Sequence, residues 1–304
     1  MKQTTDTILM VRPYRFRKNE ETAVNNYFQE DIMVDNAAEL ALQEFDRFVQ
    51  HLNDHRINTL VIQDEGLFDT PDSIFPNNCI SFHKRSAVLY PMFAENRRRE
   101  RQLNYLEALE KWGLRFDDIL DYTAFEQDHR FLEGTGSLIL DRVQRTAYCA
   151  LSPRADAGIV HQFCLDLGYD PFIFEANQTV GGLRKAIYHT NVMLSIGTAF
   201  AVVCLDAVDN LLAREKLIMR LQDSGKSIIE ITEQQMEHFA GNILELHAIT
   251  GEPHILMSTQ AYQSFTSEQI RELEKYGEII HSPLSTIETG GGGSARCMIA
   301  EVFY

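Results

Sequence analysis

Apolar residues along the chain gather in short runs, separated by polar turns and by stretches of helical spacing. The first run, TILMV at residues 7 to 11, has the length of a strand. Residues 38 to 54 carry Leu40, Leu42, Phe45, Phe48, Val49 and Leu52 on one helical face, which predicts an amphipathic helix. NTLVIQ then reads as a buried strand. CISF and AVLYPM predict a hairpin, and ENRRRERQLNYLEALEKWG a charged helix after it. GSLILD and RTAYCAL predict a second hairpin, followed by a helix from Asp156 to Leu167 and the strand PFIFE. VMLSIG and FAVVCL predict a third, with helix NLLAREKLIMRLQDSG and strand SIIEI behind it. HILMST, a helix from Ser267 to Tyr276, EIIH and ARCMIAEVF complete the pattern.

Hairpin, helix and strand thus recur at least three times, at a period of roughly fifty to sixty residues, longer than most solenoid repeats. A repeated ββαβ unit predicts an α/β fold, either a doubly wound sheet or units set around an axis. Periodicity alone fits both. No Pro/Ser-rich linker interrupts the chain, and its one low-complexity block is Gly290 to Gly293, so residues 1–304 are expected to form one domain.

Composition narrows the class. With 44% hydrophobic and 24% charged residues, the chain reads as a soluble globular protein. Its formal charge of -16 argues against nucleic-acid partners and against anionic membranes. The longest apolar run, NVMLSIGTAFAVVCL, is broken by Gly197 and is too short for a membrane span. MKQTTDTILMVRPYRF lacks the apolar block of a signal peptide. Five cysteines without paired spacing (Cys79, Cys149, Cys164, Cys204, Cys297) predict a reduced, cytoplasmic protein with mostly buried thiols. The oligomeric state stays open, a homo-oligomer included.

Metal and cofactor chemistry find no motif. There is no CxxC and no HExxH, and the pairs His161/Cys164 and Cys79/His83 come without partners, so neither metal nor cofactor is expected. GTGS (Gly134 to Ser137) precedes a strand rather than opening a helix, which argues against a phosphate loop. RRRER (Arg97 to Arg101), taken alone, reads as a solvated face. Thiol chemistry remains. Cys297 follows a Gly/Ser stretch and opens an apolar strand, although burial is the commoner state of a free cysteine. His189, in YHTNVMLSIG, and Glu133, in FLEGTGSLIL, stand at the mouths of two other hairpins. Carboxylate, imidazole and thiol therefore each begin a strand in a different repeat, as nucleophilic catalysis requires once they converge.

These three motifs together resemble the guanidino-group-modifying enzymes, the pentein superfamily, over nearly the whole chain. That group includes arginine deiminase, dimethylarginine dimethylaminohydrolase, agmatine deiminase and the amidinotransferases. The resemblance implies a pentein α/β-propeller, five ββαβ units around a pseudo-fivefold axis. It also implies roles: Cys297 attacks the central carbon of a guanidino or ureido group, His189 moves protons, and Glu133 orients His189. Arg154, in LSPRAD, matches the arginine that binds the substrate α-carboxylate. The run Arg97 to Arg99 matches an arginine segment that supplies a substrate contact, assigned to Arg98.

Two departures bear on the substrate. Aligning PNNCISFH beneath the PNLxFTRD stretch of arginine deiminases puts His83 where their aspartate stands, and HTN puts Asn191 where a second aspartate stands. A buried guanidinium without paired carboxylates is costly, whereas Asn191 and His83 can each donate to the oxygen of a neutral ureido group. The resemblance is therefore to the citrulline hydrolase branch, with ornithine, CO2 and ammonia as products and an amino acid, citrulline or an arginine derivative, as the small-molecule partner. Asp72, in TPDSIF, is placed to replace the missing acid, and dimethylarginine hydrolases also lack the second aspartate. Arginine or dimethylarginine amidinohydrolysis, amidino transfer, and a non-catalytic binding or assembly role are the alternatives.

Overall fold

Parallel strand pairs need a crossover, and four-residue turns suffice for antiparallel ones. A computed structural model, which describes residues 2–304, resolves the predicted alternation into five three-stranded sheets and one two-stranded hairpin. In every three-stranded sheet the central strand has one antiparallel and one parallel neighbour. The second sheet runs Ile80–His83, Ser86–Leu89, Asp118–Asp121, and the third Ile139–Asp141, Thr146–Leu151, Asp170–Glu175. The fourth runs Leu194–Ile196, Phe200–Val203, Ser227–Glu230, and the fifth Leu244–His247, Pro253–Ser258, Glu278–Ser282. Helices cross between the central and parallel strands; Ala157–Leu167 and Leu211–Asp223 do so in the third and fourth. The side chains of Asp156 and Asn210 accept from the backbone N–H of Ile159 and Ala213, which fixes where those helices begin.

The first sheet is permuted. Thr7–Arg12 pairs in parallel with Asn58–Gln63 through the helix Ala37–Asp54, but its antiparallel partner is Ala300–Glu301. That helix buries Phe45, Phe48 and Leu52 along one stripe. Neighbouring sheets touch through their first strands, Ile139–Asp141 against Leu194–Ile196 and Leu194–Ile196 against Leu244–His247. Gln3 crosses one such seam, donating to the carbonyls of Leu140 and Ile196. The result is a mixed α/β fold in which the repeat, legible at least three times in the sequence, occurs five times. Among the described residues no helix is long and apolar enough to cross a membrane.

Several local expectations are corrected. The charged helix breaks into Glu95–Arg98, a 3-10 stretch Arg99–Leu103 and Tyr105–Lys111, because Asn104 takes a left-handed conformation, φ 53°. Its arginine run is not a solvated face, since Arg97 and Glu100 are fully buried. GTGS forms a helical turn, Gly134–Ser137, ahead of the strand. The tetraglycine is no loose loop: Gly290 and Gly291 close the helix Ser285–Gly291, packed so tightly that a Cβ at Gly290 would lie 2.3 Å from Ile32 Cδ1. Cys297 sits in a turn, three residues before the strand at Ala300.

Candidate active site

Each three-stranded sheet receives the chain through a short helical turn, and that turn presents one polar side chain before the strand starts. The backbone N–H of Cys79 bonds Pro76 O at 3.0 Å, that of Ser137 bonds Glu133 O at 3.1 Å, and that of Met193 bonds Thr190 O at 3.1 Å. The N–H of Asn242 bonds Phe239 O at 2.8 Å, and that of Cys297 bonds Ser294 O at 2.9 Å. The side chains so delivered are Asn78, Glu133, His189, Asn242 and Cys297, one per sheet. The sequence singled out Glu133, His189 and Cys297. Asn78 and Asn242 escaped it, although each also stands two residues ahead of a sheet's first strand, at Ile80 and Leu244.

Four of the five side chains are joined in two pairs, and Asn191 adds to one of them. Asn191 Nδ2 and Asn242 Nδ2 point at Cys297 Sγ from 3.3 and 3.2 Å. Asn242 Oδ1 accepts from the backbone N–H of Arg296, which fixes its amide orientation. Burial pushes the Cys297 thiol up, against the lowering pull of these donors, so the resting sulfur is a thiol. His189 Nε2 lies 2.8 Å from Glu133 Oε2. Burial works to raise the Glu133 carboxyl, but Arg154, the His189 hydrogen bond and Arg97 hold it well below the usual carboxylate range. A charged carboxylate only accepts, so Nε2 carries the imidazole proton and Nδ1 is the free basic atom. Burial outweighs Glu133 at the imidazole and lowers it to about 4, which leaves His189 neutral at pH 7.

Gly136 holds this arrangement at close quarters. A Cβ there would lie 2.3 Å from Asn78 Nδ2 and 2.8 Å from His189 Nδ1. Gly136→Ala is therefore expected to displace both groups, with kcat falling on the order of 10²-fold while the protein stays folded; steady-state kinetics with a thermal melt checks it.

Arg97, not Arg98, is the arginine of the 97–99 run that lines the Cys297 cavity. It donates to Asn78 Oδ1 at 2.8 Å, to both oxygens of Glu100 and to Phe75 O. Successive helical residues point about 100° apart, and Arg98 accordingly turns outward to the carbonyls of Met92 and Phe93 and toward Glu126. With Oδ1 of Asn78 held by Arg97, Nδ2 is the free end of the amide, and it is buried without a partner.

A segment from Asn19 to Glu30 lies across the cavity. Asn19 and Thr22 donate to Asp72 Oδ2, leaving Asp72 Oδ1 buried and unpartnered. Arg154 donates to Asn25 Oδ1 and Thr22 O, and its Nη1 reaches Glu133 Oε2 at 3.4 Å. Asn26 and Gln29 donate to carbonyls of Gly291 and Gly292. Gly292 takes φ 59°, and a Cβ on it would meet Asn26 Nδ2 at 2.6 Å. With the segment in this position the cavity holds about 10 Å³, roughly the room of one water, and no amino acid fits it.

The structure thus gathers Cys297, His189, Glu133, Arg154 and Asp72 around one cavity. Asn191 touches the sulfur. His83 is a correction: it lies away from the site, with Nε2 on Ser81 Oγ at 2.8 Å, Nδ1 on Arg142 Nη1 at 3.1 Å and its ring against Phe163. It ends the strand that Asn78 precedes, and a strand rises about 3.3 Å per residue, so residue-by-residue alignment carried the position out of the site. His83→Ala should leave KM and kcat unchanged while costing about 1–3 kcal/mol of stability, because Arg142 and Ser81 lose a buried partner; a denaturant melt beside kinetics separates the two.

A thiol, an imidazole on a carboxylate and two buried arginines, brought in by repeated three-stranded sheets, fit the guanidino-group-modifying enzymes of the pentein superfamily. The chain belongs to the eukaryotic N,N-dimethylarginine dimethylhydrolase family, whose model matches residues 12–304. No curated protein matches it by sequence alone. Among solved structures it is similar to an arginine dihydrolase from the ornithine-ammonia cycle in Cyanobacteria, with TM-score 0.74 and 16% identity over 97% of this chain and 40% of that one. The substrate-bound N-terminal domain of that enzyme gives TM-score 0.72 at 16% identity, covering 97% of both chains. A dimethylarginine dimethylaminohydrolase variant bound as an adduct with S-methyl-L-thiocitrulline gives TM-score 0.66 at 16% identity, over 98% of this chain and 99% of that one. The chain therefore spans two fifths of the full-length dihydrolase. At such identities the likeness shows the fold alone.

Proposed function

We propose that the protein hydrolyses a ureido amino acid, citrulline, to ornithine, CO2 and ammonia, and that Asn78 selects it. Asn78 Nδ2 carries this reading: a buried donor without a partner, beside His189 and Cys297 in one cavity. A ureido group offers a carbonyl oxygen to that donor, whereas a guanidinium has only donors. This is the role the sequence assigned to His83. The remaining ends of the substrate meet the remaining free groups: the α-ammonium takes Asp72 Oδ1, and the α-carboxylate takes Arg154 after displacing Asn25. Five units set around a pseudo-fivefold axis, in one domain, account for five turns converging on one sulfur.

The chemistry then proceeds with groups in hand. His189 Nδ1 takes the thiol proton as Sγ bonds to the ureido carbon, and the C=O electrons move onto the oxygen that Asn78 stabilises. Collapse breaks the bond to the ornithine nitrogen, which receives the proton from His189. Water, deprotonated by His189, adds to the carbamoyl thioester; the C–S bond breaks, the thiol regains its proton, and carbamate decays to CO2 and ammonia.

Citrulline, arginine and dimethylarginine offered in parallel, with ornithine and ammonia measured, test the reading; turnover of arginine but not citrulline overturns it. Asn78→Asp should lower citrulline turnover on the order of 10²–10³-fold, since an acceptor replaces the donor on the developing oxyanion. The second reading, hydrolysis of arginine or dimethylarginine, is favoured by the family match and by the free oxygen of Asp72, and it expects that same variant to gain activity on guanidines. In either case the base is a depressed imidazole, so kcat/KM should hold down to pH 5 and fall only as pH drops through about 4. A pH–rate profile with an acid limb near 6.5 would contradict the buried, neutral His189.

A further inference from the structure

The sulfur of Cys297 is gripped from the side away from its proton acceptor. Asn242, fully buried on the turn ahead of the fifth sheet, has every polar side-chain atom committed. Its Oδ1 accepts from the backbone N–H of Arg296 at 3.1 Å, and its Nδ2 donates to Asn191 O at 3.0 Å and to Cys297 Sγ at 3.2 Å. The Arg296 N–H needs an acceptor, so the oxygen end of the amide faces it and the NH2 end faces the sulfur. Asn191, also fully buried, brings a second Nδ2 to that sulfur at 3.3 Å. Gly241 locks the two turns together: a Cβ there would lie 2.2 Å from Val192 O.

A thiol sulfur carries one proton and two lone pairs. With an amide donor on each lone pair, the S–H is left to point elsewhere, and His189 lines the same cavity as Cys297. Once the proton leaves, both N–H···S contacts become charge-assisted and strengthen. They do so where burial alone makes an anion costly. We propose that Asn242 is a catalytic residue: with Asn191 it cradles the Cys297 thiolate. The cradle acts twice, when His189 Nδ1 takes the thiol proton and when the C–S bond breaks and its electron pair returns to sulfur. Between the two, a neutral thioester sulfur accepts hydrogen bonds poorly, so the donors favour its release. The proposal rests on Cys297 being the nucleophile, and not on which ureido or guanidino carbon it attacks.

The test titrates the far-ultraviolet absorbance of the thiolate with pH in the full chain, without substrate. Each protein is read against its own Cys297→Ser counterpart, so that the other cysteines and the tyrosines cancel. Asn242→Asp keeps the shape and the acceptor for Arg296 but turns an oxygen toward the sulfur. Its Cys297 midpoint should rise by at least about one pH unit, a tenfold loss of thiolate at any pH below it. Should that variant fail to fold, Asn191→Leu decides: Asn191 Oδ1 has no partner to lose, and removing the Nδ2 donor should raise the midpoint in the same direction. On whichever substrate wild type turns over, Asn242→Asp should lower kcat at least about tenfold with KM unchanged. An amide that only ties two turns together would lower the melting temperature and leave the midpoint in place. An unmoved midpoint in folded Asn242→Asp, or in Asn191→Leu where that variant decides, overturns the proposal. Moved midpoints in a protein that ignores citrulline uphold the cradle and overturn only the choice of substrate.

Discussion

Cys297→Ser is expected to fold as the wild type does and to release no ornithine above background, a loss of at least about 10⁴-fold. The exchange keeps the shape of a fully buried side chain, and both amide donors, from Asn191 and Asn242, suit an oxygen as well as a sulfur. Stability should therefore change by no more than roughly 1 kcal/mol. On the proposed mechanism, what disappears is the atom that forms the covalent intermediate. Neutral imidazole at His189 can take a thiol proton but is a far weaker match for an alcohol. Rapid quench of wild type should trap the carbamoyl group on Cys297, and mass spectrometry of the variant should find none. Full activity in the variant would end the mechanism.

The second large effect falls on Glu133, and it joins activity to stability. Its Oε2 serves His189 at 2.8 Å, Arg154 at 3.4 Å and Arg97 at 3.8 Å, all inside the protein. Glu133→Ala strips two buried guanidinium groups of an anion, and breaking such a set costs about 3–5 kcal/mol. Glu133→Gln keeps the volume and is the better kinetic probe. Without the charge nothing fixes the proton on Nε2, and kcat should drop on the order of 10³–10⁴-fold. The pH dependence follows in sign. Glu133 is depressed in the folded state and so contributes stability at neutral pH, whereas His189, lowered to about 4, is neutral there and costs stability once acid would charge it. The His189 cost grows as pH falls from about 6.5 through about 4, and the Glu133 share is lost below the ordinary carboxylate range. Acid unfolding followed by circular dichroism should shift to higher pH in Glu133→Gln, whereas His189→Leu removes a group that takes up a proton on unfolding and should make stability less steep in pH between about 6.5 and about 4.

The legible part of this site was the part made of rare chemistry. A Glu, a His and a Cys at three strand mouths stand out because such residues in such places need a reason. Asn78 and Asn242 occupy equivalent turns, but asparagine is an ordinary turn residue and leaves no trace in a single sequence. The Arg97 to Arg99 run announced an arginine without saying which, because one helical step decides between cavity and solvent. Strands Asp118–Asp121 and Leu244–His247 were missed for different reasons. The first is a largely exposed outer strand bracketed by aspartates, and the second is four residues of alternation inside GNILELHA. With both unseen, five repeats read as three. The tetraglycine looked loose because glycine permits looseness; Ile32, Phe16 and Phe75, distant in sequence, are what forbid it.

The permuted first sheet has a consequence for biosynthesis. The site side chains leave the ribosome in the order Asn78, Glu133, His189, Asn242, Cys297, and Ile8 must wait nearly three hundred residues for its partner Glu301. A nascent chain can hold the acid, the imidazole and both buried arginines before it owns a nucleophile. The thiol arrives on the turn that precedes the closing strand, so docking of that strand and arming of the enzyme are one event. On the proposed mechanism, a stalled or clipped chain lacking those last residues would carry most of the substrate contacts yet could not become acylated, and would be inert rather than half active.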